Sequence, residues 1–142
     1  MIALSPYLVY KGNCEEAFNF YKLIFSGEIL YLGRYKDVPQ EARKFFPNAQ
    51  DEHIMHGSLK INDRTVIMGN DSPETPGQTG DVRDFYLYID TETQKEAIRI
   101  FNELSAGGTV LIPIAHTFWS GCYGVLTDKF GIRWKITSHQ ND

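Results

Sequence analysis

With 142 residues, 14 basic against 18 acidic side chains and a formal charge of −4, the chain has the size of one domain and no electrostatic case for binding a polyanion. Apolar residues make up 42% and charged residues 23%, material for an ordinary core, which excludes a disordered chain. No apolar stretch approaches the roughly 20 residues that span a bilayer, and the opening MIALSPYLVYKGN has neither a basic leader region nor a small-residue cleavage site, so a cytoplasmic protein without a membrane or nucleic-acid partner is expected. Cys14 and Cys122 are too few for a disulfide framework, lack a CxxC spacing and are expected to be reduced thiols.

Pro6 to Tyr10 (PYLVY) has the β-branched and aromatic character of a strand and ends at Lys11-Gly12. Asn13 with Glu16 forms a capping-box pattern, and Ala17, Phe18, Tyr21, Ile24 and Phe25 follow at helical spacing until Gly27. Glu28 to Tyr35 reads as a second strand. The polar excursion Lys36 to Glu52, with Pro39 and Pro47, has room for a short helix around Gln40 to Phe46. His53 to Ile61, the turn Asn62-Asp63-Arg64 and Thr65 to Met68 then make a hairpin.

The Gly-, Pro-, Ser- and Asp-rich stretch Gly69 to Arg83 has no apolar period and reads as a connection between halves, its linker core at 71–83. Beyond it the first half repeats. Tyr86 to Ile89 echoes Tyr7 to Tyr10, Thr93 with Glu96 echoes the capping box, and Ala97, Ile98, Phe101, Leu104 and Gly107 fall 80 positions after Ala17, Phe18, Tyr21, Ile24 and Gly27. Strands follow at Thr109 to Ile114, Tyr123 to Thr127 and Ile132 to Thr137, the last two joined by Asp128-Lys129-Phe130-Gly131. The expected fold class is α+β: one domain over 1–142, made of a βαβββ module at 1–70 and another at 84–138, their sheets curving around a shared cleft.

Three stretches carry a family resemblance: YLVYKGNCEEAFNFYKLIFSGEI, MHGSLKINDRTVIMGND and FWSGCYGVLTDKFGIRWKI. Together they resemble the PhnB-like branch of the vicinal-oxygen-chelate superfamily, which includes glyoxalase I, extradiol dioxygenases and bleomycin-binding resistance proteins. The resemblance implies the glyoxalase/bleomycin-resistance fold, a small-molecule ligand and a homodimer. In the superfamily's metal enzymes four inward side chains hold a divalent ion. Laid on this chain, that pattern falls at Pro6, Met68, Asp84 and Lys135, of which only Asp84 is a plausible ligand, so neither a metal site nor any other cofactor is expected. Relatives often bear a demethylubiquinone methyltransferase label, but the chain has no GxG turn and too little alternating β/α sequence for a Rossmann-type enzyme.

Candidate site residues follow from chemistry and from the resemblance. His56 is the candidate acid/base or hydrogen-bonding group, with a satisfied structural histidine as the alternative. His53, three positions earlier on a strand, points to the opposite face, which argues against a chelating pair. Phe118, Trp119 and Tyr123 cluster in one loop and strand start, where Gly121 and Gly124 allow close backbone approach, and either wall a pocket or fill a core. Tyr7 and Tyr86 occupy equivalent places in the two modules and offer hydroxyls to a ligand, with Met68 beside them. Asp84 and Lys135, if both face inward, pair with each other. His116 reads as a loop residue. Cys14 sits in the first helical turn, where the dipole can lower a thiol's pKa. Three activities stay open: capture of a small organic molecule without metal, metal-free acid/base turnover through His56 and a tyrosine, and a metal-dependent enzyme.

Overall fold

A computed structural model describes residues 2–73, 85–117 and 121–139 and divides into two compact units, Met1–Gly80 and Asp81–Asp142. In the first, β1 (Tyr7–Tyr10) leads to α1 (Cys14–Phe25), β2 (Glu28–Arg34), a short α2 (Gln40–Arg43), β3 (Ile54–Lys60) and β4 (Val66–Asp71). The strands form one sheet in the order β1-β4-β3-β2, with β1 parallel to β4 and the other neighbours antiparallel. The second unit repeats this plan with β5 (Leu87–Thr91), α3 (Gln94–Ser105), β6 (Thr109–Ala115), β7 (Cys122–Thr127) and β8 (Arg133–Ser138), in the order β5-β8-β7-β6. Two four-stranded mixed sheets, each with one long helix, confirm the α+β reading. Strand ends differ from the expected ones by at most three residues, the largest shift being β4, which continues past Met68 to Asp71. Among the described residues no helix is long and apolar enough to cross a membrane.

In the first unit α1 packs Ala17, Phe18, Tyr21 and Ile24 against Leu8, Tyr10, Ile54, Leu59 and Ile67 of the sheet, all buried. Gly57 and Gly69, paired across β3 and β4, make room for the Phe18 ring: a Cβ on either would come within 3.1 Å of it, and one on Gly69 within 2.5 Å of the Leu8 carbonyl oxygen. The polar excursion after β2 is tied back by Arg43, which donates to the Tyr35 carbonyl at 2.9 Å and pairs with Asp51 at 3.0 Å, while Phe46 lies against the Tyr35 ring.

The helix caps depart from the sequence reading in one case and follow it in the other. Thr93 accepts a hydrogen bond from the Glu96 N–H at 3.1 Å, as the capping box requires. Asn13 makes no side-chain cap bond. The start of α1 is held instead by Asp71, whose Oδ1 accepts from the backbone N–H of Gly12 at 3.0 Å and of Cys14 at 2.9 Å, while Oδ2 accepts from Ile54 at 2.8 Å. At 2% exposure this carboxylate has little access to water, so backbone donors must supply the hydrogen bonds that offset its burial. At the far end of α1 the left-handed residue is Ser26, not Gly27. Gly27 is needed for space, since a Cβ there would lie 2.5 Å from the Lys60 carbonyl oxygen.

Asp71→Ala is expected to lower unfolding free energy by about 3–5 kcal/mol, because it leaves three backbone N–H groups without their charged acceptor. Asn13→Ala should cost less than about 0.5 kcal/mol. Urea unfolding of both variants checks the assignment, and the opposite ranking would return the cap to Asn13.

Candidate functional site

Side chains alternate across a strand, so covering one face of the first sheet with α1 leaves a second face open. Leu8 and Tyr10 go under the helix, and Tyr7 and Val9 are turned away from it, 46% and 54% exposed. On β4, Ile67 is buried while Met68 and Asn70 face the open side. On β3, Leu59 is buried and Ser58 and His56 share the open face. A register shift, in which Gly33 pairs with His56 but Arg34 pairs with Ile54, leaves Met55 as the extra residue and returns Ile54 to the core. The same register sets Tyr31 of β2 opposite Ser58. Tyr7, Met68, Ser58 and Tyr31 are thus successive neighbours across all four strands.

His56 sits between two aromatic rings. It stacks on Tyr7 at 5.7 Å between centroids and 30° between planes, and Tyr31 lies 6.2 Å away at 39°. Its Nδ1 is 3.2 Å from the Tyr7 hydroxyl, a bond between β1 and β3 that spans the intervening β4. Gly33, opposite His56, has no side chain, and the Tyr31 ring and hydroxyl occupy the space a Cβ would need. Asn70, paired in register with Val9, has a buried side-chain oxygen without a hydrogen-bond partner, which among buried polar atoms costs on the order of 1–3 kcal/mol. Its amide serves the Tyr35 hydroxyl, which itself donates to the Asp71 carbonyl at 2.8 Å.

Three groups here have displaced pKa values. Burial, reinforced by Cys14, raises that of Tyr7, and burial likewise raises that of Tyr35, so both hold their protons. Cys14 is pushed up to about 12, first by burial and then by the neighbouring charges of Asp71 and Glu15. The lowering expected from the helix dipole is overturned: the thiol is fully buried and the carboxylate that caps the helix sits beside it.

His53 lies just before β3 with its ring against Gly12, apart from the His56 stack. His116 Nδ1 is 2.6 Å from the Gly121 carbonyl oxygen, and His139 Nδ1 is 3.0 Å from Asp90. In the second unit Lys135 Nζ is 4.5 Å from the centre of the Tyr86 ring and Arg133 is 5.5 Å from it. Lys135 pairs in register with Tyr88 and Val125, and Tyr123 pairs with Thr137. Asp84, Phe118 and Trp119 lie outside the described residues, and with Asp84 the expected pair to Lys135. Tyr31 and Asn70 were not singled out from sequence. For Tyr31 the available signal was Gly33 two positions on, since an aromatic ring covering a strand glycine is a recurrent pairing.

Residues 3–137 match the family model described as 3-demethylubiquinone-9 3-methyltransferase. The chain belongs to this PhnB-like family. Protein YjdN of Escherichia coli (strain K12) is 31% identical to it over 139 residues, spanning 94% of this chain and 92% of that protein. A PhnB protein from Bacillus cereus, whose name also carries 3-demethylubiquinone-9 3-methyltransferase, is 26% identical with a TM-score of 0.80, covering 96% of this chain and 99% of that one. A glyoxylase/bleomycin resistance protein/dioxygenase domain from Frankia sp. EAN1pec, at 12% identity and a TM-score of 0.67 over 99% and 93% of the two chains, shares the fold. This PhnB-like protein therefore has the vicinal-oxygen-chelate fold. The superfamily's divalent ion does not fit the residues present: Pro6 has no side-chain donor, Met68 offers a thioether and Lys135 an ammonium held over an aromatic ring. Among the described residues no group of three or more His, Cys, Asp or Glu is placed to hold a metal ion.

The raised Cys14 pKa has two measurable consequences. A shift from the ordinary 9.0 to about 12 cuts the thiolate fraction about a thousandfold, so native, buried Cys14 should alkylate far more slowly than a free thiol. The unfolded chain ionises near 9.0 and the native one only near 12, so the unfolded state loses protons first and stability falls as pH climbs between them. Comparing urea midpoints of wild type and Cys14→Ala across that window isolates this contribution, and a constant difference between the two would refute it.

Proposed function

We propose that this PhnB-like protein binds a small organic molecule with a flat, unsaturated body on the open face of its first sheet, without the superfamily's divalent ion. The observation that carries this is the set of half-exposed aromatic rings, Tyr7 and Tyr31, flanking His56 beside Met68. Large apolar side chains grouped on an exposed sheet face, with a few polar atoms among them, have the composition of a ligand site. For the second unit by itself, Tyr86, Tyr123 and Lys135 are proposed as ligand-binding residues, as are Asp84, Phe118 and Trp119 outside the described residues. A cytoplasmic homodimer is part of the proposal. The half-exposed Val110, Leu111 and Ile112 on the edge strand β6 support self-association.

The 3.2 Å bond between Tyr7 and His56 favours a second reading, acid/base turnover by that pair. Methyl transfer is not proposed. Nothing in the sequence supplies a glycine-rich nucleotide turn, and neither sheet is doubly wound.

A panel of bicyclic aromatic fragments, titrated into isotope-labelled protein, tests the binding role. Binding is expected to shift amides of β1, β3 and β4, and Tyr31→Ala should weaken it about two- to tenfold, the worth of one aromatic contact. Fragments that leave these strands unperturbed would refute it. His56→Ala that keeps binding unchanged while abolishing turnover of any fragment would instead establish the acid/base reading.

A further inference from the structure

We propose that the ligand carries an oxygen acceptor, a carbonyl or carboxylate on its flat body, and that the neutral imidazole of His56 recognises it through Nε2–H. This rests on the binding role proposed for the open face and names the chemistry that face selects.

The Tyr7 hydroxyl and His56 Nδ1 are within hydrogen-bond reach at 3.2 Å, and a bond between a phenol and a neutral imidazole can run in either direction. The phenol O–H is a stronger donor than the N–H of a neutral imidazole, and the imine nitrogen is a stronger acceptor than the phenol oxygen. The favoured direction is O–H to N: Tyr7 donates and Nδ1 accepts. Burial, which keeps Tyr7 protonated, preserves that donor. A neutral imidazole has one proton, and the bond made at one nitrogen decides that it sits on the other. It therefore sits on Nε2.

Among the described residues Nε2 has no hydrogen-bond partner, and the rings of Tyr7 and Tyr31 flank the imidazole. The side chain is only partly buried, so a bound molecule can reach it. A donor fixed in direction by a second residue, and flanked by two rings, selects a planar molecule that presents an oxygen lone pair at its edge. A ligand presenting an ammonium there would set donor against donor.

The tautomer is read directly from long-range proton–nitrogen correlations of the His56 ring in mildly alkaline buffer. Nε2 is expected to be protonated and Nδ1 to be of the imine type, with Tyr7→Phe giving a mixture. A protonated Nδ1 in the unmodified protein overturns the proposal. The ligand class is tested with 2-naphthoate and 2-naphthylmethylamine, followed by the ring signals of His56 and Tyr31. The carboxylate should bind at least about tenfold more tightly than the amine, the worth of one hydrogen bond to a charged group. His56→Ala should lose about tenfold for the carboxylate, whereas His56→Gln, whose amide N–H can stand where Nε2–H stood, should stay within about threefold. An amine that binds as tightly as the carboxylate, or a carboxylate indifferent to His56→Ala, overturns the class while leaving the face as a binding site. If neither probe perturbs the face, the binding role fails and the proposal fails with it, whatever the tautomer.

Discussion

One buried carboxylate organises the first unit. Asp71, the last residue of β4, accepts backbone hydrogen bonds from Gly12 in the connection into α1, from Cys14 at the start of α1 and from the first residue of β3. It is 2% exposed, and a charge so placed is tolerable only while fully hydrogen-bonded. The three donors are therefore locked to one point. That fixes where α1 begins, and so which helical face lies on the sheet. It also fixes where β3 begins, one residue before the extra Met55 and two before His56. The irregularity at Met55 puts Ile54 in the core and His56 on the open face. Core packing and site geometry thus depend on the same two oxygen atoms, which also add to the rise that burial gives the pKa of the adjacent Cys14.

The second unit repeats the topology with a different anchor. Asp128 accepts from the N–H groups of Phe130 and Ile132 in the turn before β8 and from the Trp134 indole at 2.9 Å. It sits in the turn between β7 and β8, and these three bonds lie within six residues, whereas those of Asp71 reach up to 59 residues away. The open faces have also diverged. Tyrosines around a histidine occupy one, and Lys135 and Arg133 around Tyr86 occupy the other. A shared fold with dissimilar faces is what the superfamily's range of chemistries leads one to expect, and it is why function has to be argued from the side chains.

Most local signals in the sequence held. The amphipathic character of α1 and α3, the Thr93 cap and the duplicated βαβββ order follow from residues within a turn or two of each other, although Ile98, aligned with the buried Phe18, is 42% exposed and Ile100 is buried instead. The Asn13 cap did not form; Asp71 holds the neighbouring N–H groups of Gly12 and Cys14 from the opposite end of the module, and no local pattern announces it. His56 was legible as a candidate through the resemblance and Tyr7 through the internal repeat, but their contact depends on β1 and β3 flanking β4, which is a property of topology. Tyr31 was hidden for the same reason: an edge-strand tyrosine becomes a site residue only once the register sets it opposite Ser58 and beside His56.

The central claim, recognition by aromatic rings and a neutral histidine in place of a chelated ion, is tested most directly by the metal content per chain of natively purified, tag-free protein, measured by elemental mass spectrometry after dialysis. The account predicts transition-metal and zinc content far below one ion per chain. Near-stoichiometric Mn, Fe, Ni or Zn that survives dialysis would contradict it, and would mean that Pro6, Met68 and Lys135 do not mark the positions where this chain holds its ligands.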